Sequence, residues 1–282
     1  MKETGTTNPE IERARELARA AGALVTALRD KGMEELAVEH KPGDEPVTVA
    51  DRAANELIVS GLRKAFPTDV IVSEESAAHD RARLTAERVW YVDPIDGTKD
   101  FIRGEDGFSV MIGLCLAARP VMGVVYQPTR DRMYWTTGEG GAWMTEGGGE
   151  ARRLHVSEVA DEGAIRMVAS RSNRGPALER VKTALHIKDE LAIGSVGLKL
   201  GLIALGERDL YVNPWPKCKA WDTCAPEAIL VAAGGVLTDT AGGAIRYDEE
   251  DLRRRKGLVA SNGRLHAAVL ARLAHLLPAT GN

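Results

Sequence analysis

The apolar positions of this chain have helical spacing in some segments and form short continuous runs in others. At residues 11–28 and 51–66 the apolar positions have helical spacing, which predicts two helices that each bury one face. Short β-branched runs at 70–72 and 89–92 predict buried strands, and each run leads directly into carboxylates. The chain is therefore predicted to begin with helices and to continue into a sheet.

Shorter apolar runs separated by turn residues follow from residue 108, and they predict an antiparallel meander. Its strands are expected at 108–116, 120–127, 133–137 and 141–145, with a hairpin loop at the glycines 147–149. After about residue 158 strand and helix patterns alternate. The strands there are expected at 167–169, 191–193, 210–212, 236–238 and 258–260, and the helices at 176–185, 196–205, 223–233 and 264–277.

This change of pattern predicts two halves. Residues 1–157 would form an α+β half that contains the antiparallel sheet. Residues 158–282 would form an α/β half in which helices are layered on a second sheet. A ligand site is expected in the groove between the two halves.

Composition narrows the class of protein. Of 282 residues, 44% are hydrophobic and 28% are charged, and the net charge of −4 gives no reason to expect a nucleic-acid partner. The polar first residues and the lack of a long apolar run predict neither a signal peptide nor a membrane span. Cys115, Cys218 and Cys224 cannot all pair, so we expect reduced thiols in a cytoplasmic protein.

The segment with the most candidate functional residues directly follows the predicted strand at 89–92. Asp93 would stand at the end of that strand, and Pro94 would bend the chain so that Asp96 points to the same side. Gly97 permits close approach of a ligand, and Thr98 offers a hydroxyl at a helix start, where phosphate oxygens bind well. Paired carboxylates beside such a place suit Mg²⁺. A turn explains the same D-P and D-G pairs equally well.

Three other acids have the same two interpretations. Glu74 lies in S-E-E-S after the strand at 70–72, where adjacent glutamates are also typical of a solvated loop. Asp51 fits a helix capping box with Thr48 as the N-cap. Asp222, in A-W-D-T, could simply cap the helix that follows.

Together these segments resemble a known family. V-T-x-A-D, S-E-E-S, D-P-I-D-G-T and W-D-T, over about residues 46–262, resemble the lithium-sensitive, magnesium-dependent phosphatases of the inositol monophosphatase superfamily. The resemblance implies a layered α-β-α-β-α fold of the sugar-phosphatase type. It implies that two or three Mg²⁺ ions are bound by the side chains of Glu74, Asp93, Asp96 and Asp222 and by the carbonyl group of Ile95. It further implies that Asp51 and Thr98 orient and deprotonate the attacking water, and that the N–H groups of Gly97 and Thr98 hold the phosphate.

The second half of the chain resembles one subfamily. S-R-S at 170–172, G-S-x-G-x-K at 194–199 and the stretch K-C-K-A-W-D-T-C-A-P-E at 217–227 are similar to the 3'(2'),5'-bisphosphate nucleotidases. That similarity implies hydrolysis of adenosine 3',5'-bisphosphate to AMP, a step in sulfur metabolism. The candidate substrate-binding residues are Ser170, Arg171, Ser172, Ser195 and Lys199.

Arg171 and Lys199 are the candidates for a second anionic group, because both are expected near helix N-termini. Both could instead be surface charges. Animal members commonly have His after S-R-S, whereas this chain has Asn173.

Two other functions remain open. The first is an inositol mono- or polyphosphate phosphatase. The second is a catalytically silent nucleotide- or metal-binding regulator, which should have lost one of the acids or Thr98. The chain keeps all of them. The expected partner is a small phosphate ester, and the protein is expected to be a monomer or a homodimer.

Overall fold

A computed structural model describes residues 8–32, 34, 36–41, 45–76, 81–138 and 140–276. Within those ranges the chain forms seven α-helices and fourteen β-strands. The helices are α1 (Pro9–Asp30), α2 (Val49–Ala65), α3 (Thr98–Ile102), α4 (Pro176–Ala184), α5 (Val196–Ala204), α6 (Ala220–Ala232) and α7 (His266–Leu273). The strands are β1 (Glu39–Lys41), β2 (Glu45–Val47), β3 (Val70–Ser73), β4 (Arg88–Asp96), β5 (Ser109–Leu116), β6 (Arg119–Gln127), β7 (Arg132–Thr136), β8 (Ala142–Glu146), β9 (Arg152–Arg153), β10 (Arg166–Ser170), β11 (Asp189–Ile193), β12 (Leu210–Asn213), β13 (Val236–Thr238) and β14 (Leu258–Ser261).

A seven-stranded sheet occupies the first half, in the order β3-β4-β5-β6-β7-β8-β9. The strands from β4 onward pair antiparallel, as the meander pattern predicts, whereas β3 and β4 are parallel. A parallel pair needs a long connection, and here it includes the 3₁₀ helix Arg81–Leu84. Helices α1 and α2 cover one face of this sheet, where Val25, Ile58 and Trp90 belong to one buried cluster.

A second sheet has five strands, in the order β11-β10-β12-β14-β13. Strand β10 pairs in parallel with β11 and β12, and β14 runs antiparallel to β12 and β13. Helices α4 and α7 cover its outer face, since Val181 and Val269 pack in one cluster with Met167 and Val259.

Helices α5 and α6 lie between the two sheets. Leu200 of α5 and Ile229 of α6 share a buried cluster with Val125 of the first sheet and Val168 of the second. The order of layers is therefore α1/α2, first sheet, α5/α6, second sheet, α4/α7. This confirms the α-β-α-β-α fold. The proposed domain boundary at residues 157 and 158 falls between β9 and β10 and stays a prediction.

Two glycines let α6 approach the first sheet closely. A Cβ atom on Gly113 would lie 2.7 Å from the backbone N of Ala225, and one on Gly123 would lie 2.2 Å from its carbonyl oxygen. Both distances are too short for real Cβ contacts, so any other residue would push the helix away. The second turn of α6 is thereby held against β5 and β6.

Some predicted boundaries differ from the observed ones. Strand β4 does not stop at residue 92 but continues through Asp96, with a register shift against β5 between Asp93 and Asp96. Pro94 cannot donate a ladder hydrogen bond, and such a shift is how a strand accommodates it. Helix α6 begins at Ala220 rather than at residue 223, and α7 ends at Leu273; Leu277, the predicted end, lies outside the described residues. No helix within the described ranges combines the length and apolar character needed to cross a bilayer.

Candidate active site

A cavity of about 370 Å³ opens where the end of β4, the start of α3, the start of α6 and the segments after β10 and β11 meet. Six acidic residues line it, and four of them are predicted metal ligands, namely Glu74, Asp93, Asp96 and Asp222; the other two are Glu45 and Asp100. Gly97, Thr98 and the carbonyl-bearing Ile95 line it as well. The structure therefore brings all five predicted metal-binding residues to one cavity, although they are up to 148 positions apart in the chain (222 − 74).

Asp51 forms the helix cap that one interpretation predicted, and it also faces Thr98. Its Oδ2 atom accepts hydrogen bonds from the Thr48 N–H (2.7 Å) and the Thr48 hydroxyl (2.6 Å), which completes the capping box of α2. Its other oxygen, Oδ1, lies 3.4 Å from the Thr98 hydroxyl, which also donates to the Ile95 carbonyl at 3.0 Å. Burial raises the pKa of Asp51 to about 7. The cap therefore orients the carboxylate that faces Thr98.

Asp93 and Asp96 are both buried, and each is held by donors from the chain. Asp93 Oδ1 accepts the Ile95 N–H at 3.1 Å. Asp96 Oδ2 accepts from the Ser195 hydroxyl at 2.6 Å and the Gly197 N–H at 2.8 Å, both at the start of α5. Burial, and next to it the charge of Glu74, raises the pKa of Asp93 well above its usual range. Burial raises the pKa of Asp96 to about 6.

Asp222 caps α6, as one interpretation predicted, and it also faces the cavity. Its Oδ2 atom accepts the Lys219 N–H at 2.8 Å. Burial and then the charge of Glu74 raise the pKa of Asp222 well above its usual range. Glu74 itself accepts from Lys41 Nζ at 3.3 Å, and Lys219 Nζ lies 3.9 Å away.

The raised pKa values have burial as their common largest cause, and repulsion between neighbouring carboxylates adds to it. A divalent cation removes this repulsion, and carboxylate and carbonyl oxygens are the donors that Mg²⁺ prefers. In the described part of the chain, no three His, Cys, Asp or Glu side chains stand so that they could hold a metal ion as they are. Asp93, Asp96 and Asp222 each accept hydrogen bonds from the protein through one carboxylate oxygen. The donor set fits Mg²⁺.

The backbone beside the acids requires glycine. Gly97 has φ 93°, and a Cβ there would lie 2.7 Å from the carbonyl oxygen of Gly107. Both the left-handed backbone and the close approach exclude other residues without strain. The turn places the N–H groups of Gly97 and Thr98 at the start of α3, beside the carboxylates.

Sequence comparison identifies the family of this chain. The sequence model for the inositol monophosphatase family matches residues 7–277.

The chain belongs to the inositol monophosphatase family.

Among curated proteins, the 3'(2'),5'-bisphosphate nucleotidase CysQ of Salmonella typhimurium is 38% identical over 237 residues, which are 84% of this chain and 93% of that protein. A histidinol-phosphatase of Streptomyces coelicolor is 33% identical over 272 residues, covering 94% of this chain and 96% of its own. Among solved structures, CysQ of Bacteroides thetaiotaomicron superposes with a TM-score of 0.75 at 29% identity, covering 90% of this chain and 97% of its own. Members of the family are generally metal-dependent phosphatases.

Of the five predicted substrate-binding side chains, two line the cavity and three do not. Ser170 and Ser172 line the cavity, and the Ser170 hydroxyl accepts the Asn173 N–H at 3.0 Å. Ser195 does not line it, and its hydroxyl donates a hydrogen bond to Asp96. Arg171 also lies off this cavity, and its guanidinium pairs with Asp100 (3.1 Å) and Glu105 (2.6 Å) beside a neighbouring cavity of about 560 Å³.

Lys199 lies deeper still. Only 1% of it is exposed, and its ammonium donates to the carbonyl groups of Ile193 (3.1 Å) and Gly194 (2.6 Å). Burial lowers the pKa of Lys199 to about 8. Its charge in turn favours ionised Asp96. Neither Lys199 nor Arg171 stands on the cavity wall, where the sequence argument expected both.

Asn173, where the chain departs from the subfamily pattern, also lines the cavity. Four basic residues of the wall were not predicted from the sequence, namely Lys99, Lys217, Lys219 and Arg253. Lys217 and Lys219 stand in the stretch K-C-K-A-W-D and could have been found from their proximity to Asp222. Arg253 belongs to the run R-R-R-K, which is typical of a solvated surface, and only the tertiary structure brings it here.

Proposed function

We propose that this protein is a magnesium-dependent 3'(2'),5'-bisphosphate nucleotidase that hydrolyses the 3'-phosphate of adenosine 3',5'-bisphosphate and releases AMP. The observation that carries this proposal is one cavity lined by two sets of charged residues: the acidic wall (Glu74, Asp93, Asp96 and Asp222) and the basic wall (Lys217, Lys219 and Arg253). The acidic wall fits metal-assisted phosphate hydrolysis. The basic wall fits a substrate that has a second phosphate away from the reacting one. The similarity to the CysQ nucleotidases supports the same substrate.

The metal would be held by the oxygens of the acidic wall. We propose two or three Mg²⁺ ions, bound by Glu74, Asp93, Asp96, Asp222 and the Ile95 carbonyl. Bound Mg²⁺ would neutralise charge on the phosphoryl group and polarise the attacking water. Li⁺ and Ca²⁺ are expected to inhibit, because neither reproduces the small octahedral dication that these donors suit.

The protein's own groups would orient the water and take its proton. The Thr98 hydroxyl lies between the Ile95 carbonyl and Asp51 Oδ1, so it can accept a hydrogen bond from water while it donates to either oxygen. Asp51 is the proposed final acceptor of the proton, and a carboxylate whose pKa lies near neutrality suits that task. The N–H groups of Gly97 and Thr98 would hold phosphate oxygens at the start of α3.

The proposed setting is the cytoplasm, where the enzyme would clear a by-product of sulfate activation. The cysteines are consistent with a reducing compartment. Cys115, Cys218 and Cys224 are free and buried, and the sulfur atoms of Cys115 and Cys224 lie 3.5 Å apart, too far for a bond.

The test is a comparison of kcat/KM with Mg²⁺ for adenosine 3',5'-bisphosphate, inositol 1-phosphate, fructose 1,6-bisphosphate and histidinol phosphate. We expect the nucleotide to be the best substrate and EDTA to abolish its hydrolysis. A higher kcat/KM for inositol 1-phosphate would make the chain an inositol phosphatase. A lack of phosphate release from every substrate would favour the silent regulator instead.

A further inference from the structure

Four cations line the cavity. Lys99 belongs to α3, directly after Thr98, and the other three differ in how far their charges are neutralised. Lys219 Nζ pairs with Glu45 Oε2 at 2.6 Å and lies 3.9 Å from Glu74 Oε1. Its charge is therefore already balanced by protein acids. It is the least suited of the three to meet an anion from solution.

Lys217 has a different kind of partner. Its ammonium donates to the side-chain carbonyl of Asn173 at 3.0 Å, and this amide is neutral. Within the described ranges no carboxylate forms an ion pair with Lys217. The amide thus fixes the direction of the ammonium without reducing its charge, which leaves two N–H donors for a ligand.

Arg253 reaches the same rim through a tertiary contact. Lys219 and Arg253 form an antiparallel β-bridge, and the Arg254 N–H donates to the Cys218 carbonyl at 2.7 Å. Bridged residues project to the same side, so Arg253 stands beside Lys219. Lys217 lies in the turn that leads into Lys219, and it lines the same cavity as Arg253. In the described part of the chain the Arg253 guanidinium has no acidic partner.

We propose that Lys217, oriented by Asn173, and Arg253 form the binding site for the phosphate that is not cleaved. The site rests on the proposed nucleotidase function and adds the residues that select a bisphosphate over a monophosphate. A phosphate dianion suits it because guanidinium and ammonium groups supply several convergent donors. Arg171 and Lys199 cannot serve in this way, since acids or backbone carbonyls occupy their donors.

The test combines variants that lack each cation with a substrate that lacks the second phosphate. Adenosine 3',5'-bisphosphate and adenosine 3'-monophosphate share the phosphate that is cleaved, and only the first has the second phosphate. We expect the ratio of their kcat/KM values to fall roughly ten-fold in Lys217→Ala and in Arg253→Ala, and about a hundred-fold in the double variant. Lys217→Arg should keep most of the ratio, because it retains the charge.

Arg255→Ala is the matched control, since Arg255 is exposed in the same basic run but pairs with Asp251 and lies off the cavity. Its substrate ratio should equal that of the wild type. Equal losses on both substrates in Lys217→Ala and Arg253→Ala, or no loss on either, would overturn the site while the nucleotidase function stands. A wild-type enzyme that prefers inositol 1-phosphate to both nucleotides would overturn the function and the site together.

Discussion

The two walls of the cavity are built from different kinds of structure. On the acidic wall, Asp93 and Asp96 belong to β4 and Asp222 to the first turn of α6, and each accepts a short hydrogen bond from a neighbouring group. On the basic wall, Lys217 and Arg253 are exposed side chains outside the helices and strands. The difference separates the reaction, which needs fixed geometry, from recognition, which tolerates adjustable side chains. Substitutions on the acidic wall should therefore affect every substrate, and substitutions on the basic wall only some.

The largest effect is expected for Asp93→Asn. The change removes the charge of a carboxylate that four other acids surround, and Mg²⁺ binding should weaken with it. We expect hydrolysis of all substrates to fall by ~10³-fold or more, as measured by phosphate release. Asp106→Asn, on an exposed acid off this cavity, is the control and should keep full activity. Retention of about a tenth of the wild-type kcat or more would remove Asp93 from the metal site.

Thr98→Ala should have the next largest effect. If the hydroxyl orients the water toward Asp51, kcat should fall by ~10²–10⁴-fold while KM changes little. Steady-state kinetics with adenosine 3',5'-bisphosphate separates the two parameters. A raised KM with an unchanged kcat would mean that Thr98 only contacts the phosphate.

Lys199→Met tests whether a buried cation next to the acidic wall affects all substrates, as the carboxylates should. It ties down the carbonyl groups of Ile193 and Gly194, next to the Ser195 that holds Asp96. We expect kcat/KM to fall by roughly ten-fold for the bisphosphate and for inositol 1-phosphate alike. The ratio of the two substrates is the readout. A selective loss on the bisphosphate would show that Lys199 recognises the second phosphate after all.

The smallest effect concerns thermal stability. Burial raises the pKa of Asp51 to about 7 and of Asp96 to about 6, so between about pH 4 and pH 7 the folded protein binds more protons than the unfolded chain. Stability without metal should therefore fall as pH rises through this window. Mg²⁺ at a hundred-fold excess over its Kd should raise Tm by roughly 5 °C at pH 8 and by less at pH 5, where protons compete. A scan in EDTA and in Mg²⁺ measures this, and equal shifts at both pH values would contradict it.

Short segments of the sequence predicted the two halves of the fold and the carboxylates at the end of β4, and the family resemblance implied the layered fold and the other acids. Helical spacing located α2, and the D-P-I-D-G-T motif located the end of β4 and the start of α3. The continuation of β4 past residue 92 was missed, since a proline in a strand usually signals its end. The strand tolerates Pro94 only through its register shift.

The basic wall could not be predicted in the same way. Arg253 is brought to the cavity by a single β-bridge to Lys219, and no local pattern indicates such a contact. Lys199 shows the opposite error: its place near a helix start suggested a ligand, but the side chain folds back onto backbone carbonyls. Where a long cationic side chain points depends on tertiary contacts, which one segment of sequence does not contain.

The capping interactions of Asp51 and Asp222 have a further consequence. In each case one carboxylate oxygen closes the first turn of a helix, while the residue also has a proposed role in catalysis or metal binding. A mutation that truncates either side chain would remove a helix cap together with the proposed functional group. It would lower the free energy of unfolding by about 1 kcal/mol. An inactive descendant of this protein would thus be selected to keep these aspartates for folding alone. In a distant relative, the presence of Asp51 and Asp222 would therefore be weaker evidence for activity than the presence of Asp93, whose carboxylate caps no helix.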